Sequence, residues 1–302
     1  MIGNYPLHLA ILVLLWGYIY TSWSLMGRLG MVSFGHGAFM GIGAYTVVML
    51  WNHFGLSPWL GALAAFAFTA LLAVVIGYPC FRFKIIGHYF ALVTLALSEV
   101  VRLVIVALRD QTGGSLGATP NGSPGIGALQ FSSKWTWFLI VGAFWLGGLA
   151  IWRAVDRSMG RLALQAISED EEAAASIGIH VTRAKLRITL ISALMTCAGG
   201  VLYAQYQLYV NPDTVSGIAI SLQMVFGVIA GGMFVMLGPT VGAAFTLLLA
   251  EALRLGFGNR YPALDSTIYG VMLVLFIIYM PKGILGAAHD IWRHRRLVSS
   301  AR

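Results

Sequence analysis

Nine long apolar runs dominate this chain, at about residues 6–26, 31–52, 57–80, 88–108, 135–155, 187–210, 217–238, 239–257 and 265–281. A helix needs about 20 apolar residues to cross a hydrocarbon layer, so each run has the length of one crossing. Barrel strands would instead alternate over about ten residues. Lipid also demands that backbone groups be paired internally, which a helix achieves within its own segment. With 59% hydrophobic and only 10% charged residues, the chain has too little polar surface for a water-soluble globule. The sequence predicts an all-α integral membrane protein, a polytopic helical bundle of nine transmembrane helices forming one domain over residues 1–302.

The first run is expected to be a retained helix. Met1–Pro6 carries no side-chain positive charge, the apolar stretch is too long, and no small-residue cleavage site precedes Arg28. Cys80 and Cys197 both lie inside apolar runs, where small packing residues are expected rather than a disulfide or metal site. On the nine-span topology, one face holds Arg28, Arg82, Lys84, Arg153, Arg157, Arg161, Arg183, Lys185, Arg187, Lys282, Arg293, Arg295, Arg296 and Arg302, fourteen of the nineteen basic residues. The positive-inside rule makes that face cytoplasmic, with the N-terminus outside. The basic tail, 282–302, is then expected on anionic lipid headgroups. No aromatic-interleaved basic patch or groove-reading motif accompanies the charge, so nucleic acid is not an expected partner.

A polar island interrupts the lipid-like sequence between Arg153 and Arg187. Glu169, Asp170, Glu171 and Glu172 are four of only eleven acidic residues, followed by Ala173, Ala174, Ala175 and Gly178. Ser168 with Glu171 has the form of a capping box, and Gly178 supplies a C-terminal stop. Upstream, Leu162, Ala166 and Ile167 share a stripe from Arg161 onward, so two short helices are expected across the cytoplasmic membrane surface. A solvated connector is the plainer reading, but it needs neither caps nor a row of small residues. Docking against a soluble partner, over a coupling loop at 156–186, is favoured.

Elsewhere the runs are glycine-rich. Gly30, Gly35, Gly37, Gly41 and Gly43 crowd the second run beside Ser33 and His36, while Gly227, Gly231 and Gly232 mark the seventh. Such glycines serve either close helix contact or an interrupted helix whose free backbone lines a path. Close packing is favoured for most, with a break near Gly35 as the sharper expectation, and Ser33, Gly35, His36, Gly37, Gly41, Gly43, Gly227, Gly231 and Gly232 as candidate path residues. A lone histidine without a neighbouring acid favours a hydrogen-bonded structural role for His36 over acid–base or metal chemistry. Glu99 with Arg102, and Glu251 with Arg254, share the pattern Leu-small-Glu-x-x-Arg-Leu and are expected as ion pairs at outer helix ends. Asp265 and Asp213 are expected to cap the helices that follow them.

The segment Ala166-Ile167-Ser168-Glu169-Asp170-Glu171-Glu172-Ala173-Ala174-Ala175-Ser176-Ile177-Gly178-Ile179 resembles the coupling loop of ABC importer permeases of the branched-chain amino acid type, especially the LivM-like subunit. The glycine-rich stretch 30–45, Tyr89–Ala96, Thr112-Gly113-Gly114-Ser115 with Asn121-Gly122, Gly231–Pro239 and Pro281-Lys282-Gly283-Ile284 are similar to further family segments, in order, over residues 20–286. Two departures stand out: Ser168 occupies a position where many relatives carry a basic residue, and 116–124 is altered. The resemblance implies a non-enzymatic permease subunit in a bacterial inner membrane, using no cofactor of its own. It would pair with a homologous second permease, two ATP-binding cassette subunits that consume the ATP, and an extracytoplasmic solute-binding protein. Arg161, Glu169, Asp170, Glu171, Ala173, Ala174 and Gly178 would form the ATPase-coupling loop, and alternating access would carry branched-chain or related amino acids. The residues agree: no Gly-x-x-x-x-Gly-Lys-Ser/Thr loop occurs, and the outer loop 109–134 is too short for a solute-capturing domain. A stand-alone ion-coupled secondary transporter is the alternative, against which the shortage of mid-span carboxylates counts. An intramembrane enzyme lacks a nucleophile–base pair or ligand cluster.

Overall fold

A computed structural model describes residues 4–27, 30, 32–122, 125, 127–257, 264–279 and 283–286. Every regular element among them is a helix: α1 (Asn4–Gly27), α2 (His36–Phe54), α3 (Pro58–Arg82), α4 (Gly87–Ala107), α5 (Arg109–Thr112), α6 (Lys134–Arg157), α7 (Met159–Glu169), α8 (Glu171–Ser176), α9 (Val181–Gln207), α10 (Pro212–Val215), α11 (Gly217–Gly231), α12 (Gly238–Phe257) and α13 (Leu264–Tyr279). All nine apolar runs coincide with helices, but nine crossings are not confirmed. Among the described residues, six candidate spans are long and apolar enough by length and composition: α1, α3, α4, α6, α9 and the stretch from Pro212 to Gly231. The glycine-rich α2 and the helices α12 and α13 fall outside that set. In α2 the reason is chemical, since glycines, His36, Asn52 and His53 dilute its apolar character.

Helix ends follow local chemistry. Pro58 sits in the first turn of α3, and the Ser57 side chain accepts from Trp59 N at 3.3 Å. Gly55 closes α2 with φ +62°, its N–H reaching Trp51 O at 3.0 Å while Leu56 N reaches Leu50 O at 3.2 Å, the paired bonds of a Schellman ending. The stretch Asn211–Asp213 is a cap, but through a different residue from the one expected. Asn211 accepts from Asp213 N at 2.9 Å and completes a capping box with Thr214, while the Asp213 carboxylate turns to Arg102 at 3.1 Å. Asp265 lies in the first turn of α13, with its side chain outside the described residues. Arg28, Arg260, Lys282 and the tail 287–302 also lie outside them.

The centre of the bundle is α1 and α9, with 72% and 67% of their most apolar stretches buried, against 22% for both α4 and α6. Helix α9 packs along α2, α3 and α1, and α1 packs in turn on α6, α12 and α11. On the periphery, Phe68 and Leu71 of α3, Leu92 and Leu103 of α4, and Leu139 and Leu146 of α6 present exposed apolar side chains, as lipid-facing helices require. Contacts sort the connections onto two ends. Lys84, between α3 and α4, meets Glu172 of α8 at one end; at the other, Asn52 meets Thr119 and Asn121, and Tyr209 meets Leu116. Cys80 and Cys197 are buried free thiols.

Candidate functional site: the α7–α8 loop and the glycine seam

The polar island folds into two short helices at one end of the bundle. Helix α7 is amphipathic, burying Leu164 and Ile167 and exposing Met159 and Leu162. Its burial of Ile167 carries the helix through Ser168 and Glu169, so Ser168 is not the cap that its spacing predicts. The Ser168 hydroxyl bonds back to Gln165 O at 2.8 Å, inside α7. The chain breaks one residue after Glu169. Asp170 adopts extended backbone and caps α8, accepting from Glu172 N at 2.8 Å and Ala173 N at 3.0 Å. Those bonds, the one from Ala173 first, hold the Asp170 carboxyl below its ordinary value. Glu169 therefore belongs to α7 rather than to the first turn of the second helix. Gly178, at φ +90°, follows the end of α8.

Helix α8 touches the bundle through a small surface. Ala174 is buried, whereas Ala173, Ala175 and Ile177 face outward. Two ion pairs supplement that contact. Glu171 pairs with Lys185 of α9, whose side chain is 2% exposed, and Glu172 meets Lys84 at 2.8 Å in the open. The Glu172 partner holds the Lys84 ammonium above its ordinary value. A groove of about 620 Å³ runs beside these pairs, lined by Arg82, Glu171, Gly178, His180 and Arg183 among others. Arg161 lies 3.7 Å from Asp156 and lines a second cleft, of about 420 Å³, with Glu169, Ser168 and Gly30. The seven residues expected in the coupling loop thus divide: Asp170, Glu171, Ala173, Ala174 and Gly178 gather on or beside α8, and Arg161 and Glu169 on α7.

The glycine-rich run begins differently from a simple span. Residues 32–35 are not helical, and α2 starts at His36. Ser33 and Gly35 are buried there, and the free backbone is met from neighbouring helices: Trp23 Nε1 donates to Ser33 O at 2.8 Å, and Phe34 N donates to Thr94 Oγ1 at 3.0 Å. Gly37 N donates to Ser221 Oγ at 3.0 Å, and Ser98 Oγ lies 3.1 Å from the same hydroxyl. A Cβ on Gly37 would stand 2.5 Å from Gly217 O, so α2 and α11 meet backbone to backbone. Gly217 itself has φ +86° and follows Ser216 in extended backbone, which breaks the stretch from Pro212 to Gly231 into α10 and α11. The seventh apolar run begins at the same residue, 217, so this boundary is visible in the sequence.

Gly41 faces Ser216, and a Cβ on Gly43 would run into the carbonyl oxygen of Cys197 on α9. On the other side of that contact, a Cβ on Gly200 would run into Met40 O. Gly227 packs on the Tyr20 ring, Gly231 on the backbone of Gly238, and Gly232 beside Gly283 and Gly238. All these glycines are buried in helix–helix contact. Gly41 also lines an apolar crevice of about 740 Å³ between α2, α3 and α4. His36 is fully buried with Nε2 2.7 Å from Ser192 Oγ, between Trp23 and Phe39. Its partner Ser192 bonds Ser22 O at 2.6 Å, and Ser22 lies 2.7 Å from Thr196 Oγ1. This hydroxyl cluster joins α1, α2 and α9. In the sequence only the spacing of Ser192 and Thr196, one turn apart, hints at it. At the opposite end Arg102 bonds Glu99 at 2.5 and 2.8 Å, and Arg254 meets Glu251 at 3.1 Å, the two ion pairs that their spacing predicts.

Comparison with known proteins matches this architecture to one family. A family model for the permease component of branched-chain amino acid transport systems covers residues 5–277. The high-affinity branched-chain amino acid transport system permease protein LivM of Salmonella typhimurium and that of Escherichia coli are each 30% identical over 285 residues, which is 86% of this chain and 65% of theirs. The corresponding permease protein LivH of Escherichia coli is 27% identical over 277 residues, 86% of this chain and 87% of its own. The chain thus spans 65% of the length of the LivM relatives it matches. No solved structure matches it. With a helical bundle and six apolar candidate spans among its described residues, and matched over residues 5–277, the chain belongs to the family of branched-chain amino acid transport system permease components.

Proposed function

We propose that the chain is the membrane permease subunit of an ATP-driven importer for branched-chain or related amino acids, working by alternating access. Partner ATP-binding cassette subunits bind the 161–178 loop from the cytoplasm. A homologous second permease completes the path, and an extracytoplasmic solute-binding protein delivers the amino acid. The chain lies in a bacterial inner membrane with its N-terminus outside. The basic end carrying Lys84, Arg161, Arg183 and Lys185 faces the cytoplasm, in line with the positive-inside rule. One observation carries the reading: α7 and the Asp170-capped α8 form a pair of short helices, seated on the bundle by few contacts and presenting exposed Met159, Leu162 and Ile177 outward. Apolar side chains exposed on a polar loop mark a surface for a protein partner. The glycine seam between α2, α4, α9 and α11 is the candidate path, packed shut in this conformation. Its neutral lining suits a zwitterion with an apolar side chain.

The test is purification of the detergent-solubilised chain after co-expression with candidate ATP-binding cassette subunits from the same source. Co-purification is expected for the wild type, and loss of the ATPases without loss of membrane insertion for a Met159→Asp, Leu162→Asp, Ile177→Asp triple variant. A triple variant that retains its ATPases in full overturns the docking assignment.

A further inference from the structure

The inference rests on the reading just given and concerns how motion at α8 reaches the bundle. Helix α8 has six residues and buries only Ala174. Apolar contact is therefore too small to make it move as one body with the spans. Lys185 supplies what the packing lacks. Its side chain is 2% exposed, its ammonium pairs with Glu171, and the same ammonium lies 5.8 Å from the centre of the Phe81 ring. Pulling a pair apart when one of its charges is this far buried leaves that charge without its partner, so separating the two is unfavourable and they move together. The neighbouring pair, Lys84 with Glu172, has side chains 67% and 81% exposed and is screened by water. Of the two ion pairs, one is stiff and one is soft.

From the stiff pair, contacts lead into the seam. Phe81, at the end of α3, stacks on Phe90 of α4 with ring centres 5.5 Å apart. One turn further along α4, Thr94 accepts from Phe34 N, in the non-helical entry to α2. Lys185 itself belongs to α9, which packs along α2 and α3. We infer that the Lys185–Glu171 pair is the positioning pin that passes displacement of α8 to α9 and, through Phe81, Phe90 and Thr94, to the start of α2. Neither residue touches solute or nucleotide. Both act through the helices they join. Neutralising both leaves no stranded charge, so it removes the pin while sparing the fold.

The experiment uses the whole importer, reconstituted in lipid vesicles with its ATPases, second permease and binding protein, with radiolabelled leucine as the probe. The readout is ATP hydrolysed per leucine taken up. In the Glu171→Gln, Lys185→Met double variant the assembled complex is expected to hydrolyse ATP while that ratio rises at least tenfold. The charge-swapped Glu171→Lys, Lys185→Glu variant is expected to return within threefold of wild type. A neutral pair that transports at the wild-type ratio overturns the pin, as does a swapped pair no better coupled than the neutral one. Failure of the wild-type complex to take up any leucine with ATP counts against the substrate reading instead, because the pin concerns the coupling ratio and not the solute.

Discussion

Replacing Ser192 with alanine removes the one hydroxyl that ties α1, α2 and α9 together. Its oxygen lies 2.6 Å from Ser22 O and 2.7 Å from His36 Nε2. A carbonyl only accepts, so the serine proton goes to Ser22, and His36 Nε2 must carry its own proton and donate it. The other ring nitrogen, Nδ1, has no partner among the described residues. Ser192→Ala therefore leaves a fully buried imidazole bonded at neither nitrogen. An interhelical hydrogen bond within a membrane contributes about 0.6 kcal/mol on average and about 1.7 at most. A stranded buried donor adds about 1–3 kcal/mol, so a total loss of about 2 kcal/mol is expected for the variant. Equilibrium unfolding in mixed micelles of mild detergent and dodecyl sulfate measures it. Adding His36→Leu removes the stranded donor, so the double variant is expected to lose less than the two single losses combined, with a coupling of about 1 kcal/mol. A Ser192→Ala loss below about 0.5 kcal/mol, with strictly additive single effects, would refute the hydrogen-bond assignment.

Other expectations follow from the same contacts. Gly43→Ala drives a methyl into Cys197 O and should cost about 1–3 kcal/mol in the same unfolding assay, whereas Gly142→Ala, on α6 with open space around it, should cost nothing measurable. Asp170→Ala should speed hydrogen exchange at the Glu172 and Ala173 amides. Because the Asp170 carboxyl is held below the ordinary 3.8, its cap is fully formed above that pH and is lost as pH falls through the lowered folded value, so acid should produce the same faster exchange in the wild type. Cysteines placed at Met159 and Leu116, both exposed and on opposite ends, should react with an impermeant maleimide in oppositely oriented vesicles; labelling of both in one orientation contradicts the topology.

What the sequence made legible was what one helix can specify alone. Apolar length located every long helix, and the i, i+3 spacing of Glu99 with Arg102 and Glu251 with Arg254 located two ion pairs. Where tertiary contact competes with local preference, the reading slipped. Helix α2 starts at His36, next to the break expected near Gly35 but well inside the apolar run that begins near residue 31, because Trp23 and Thr94 hold the preceding backbone open. Helix α9 starts at Val181 rather than near 187, and Lys185, expected within the polar loop 156–186, is buried on Glu171 inside that helix. Ser168 and Asp170 are both able to cap, and burial of Ile167 decides for Asp170. The cluster of Ser22, His36 and Ser192 depends on partners far along the chain, of which the local pattern shows only the one-turn spacing of Ser192 and Thr196.

The central claim is that this subunit is moved by an engine on another polypeptide. Uptake of labelled leucine by vesicles carrying the chain, its second permease and its binding protein, with and without the ATPase subunits and ATP, tests it most directly. Accumulation only when the ATPases and ATP are both present is the expected result; accumulation by the chain alone, driven by an ion gradient, contradicts it.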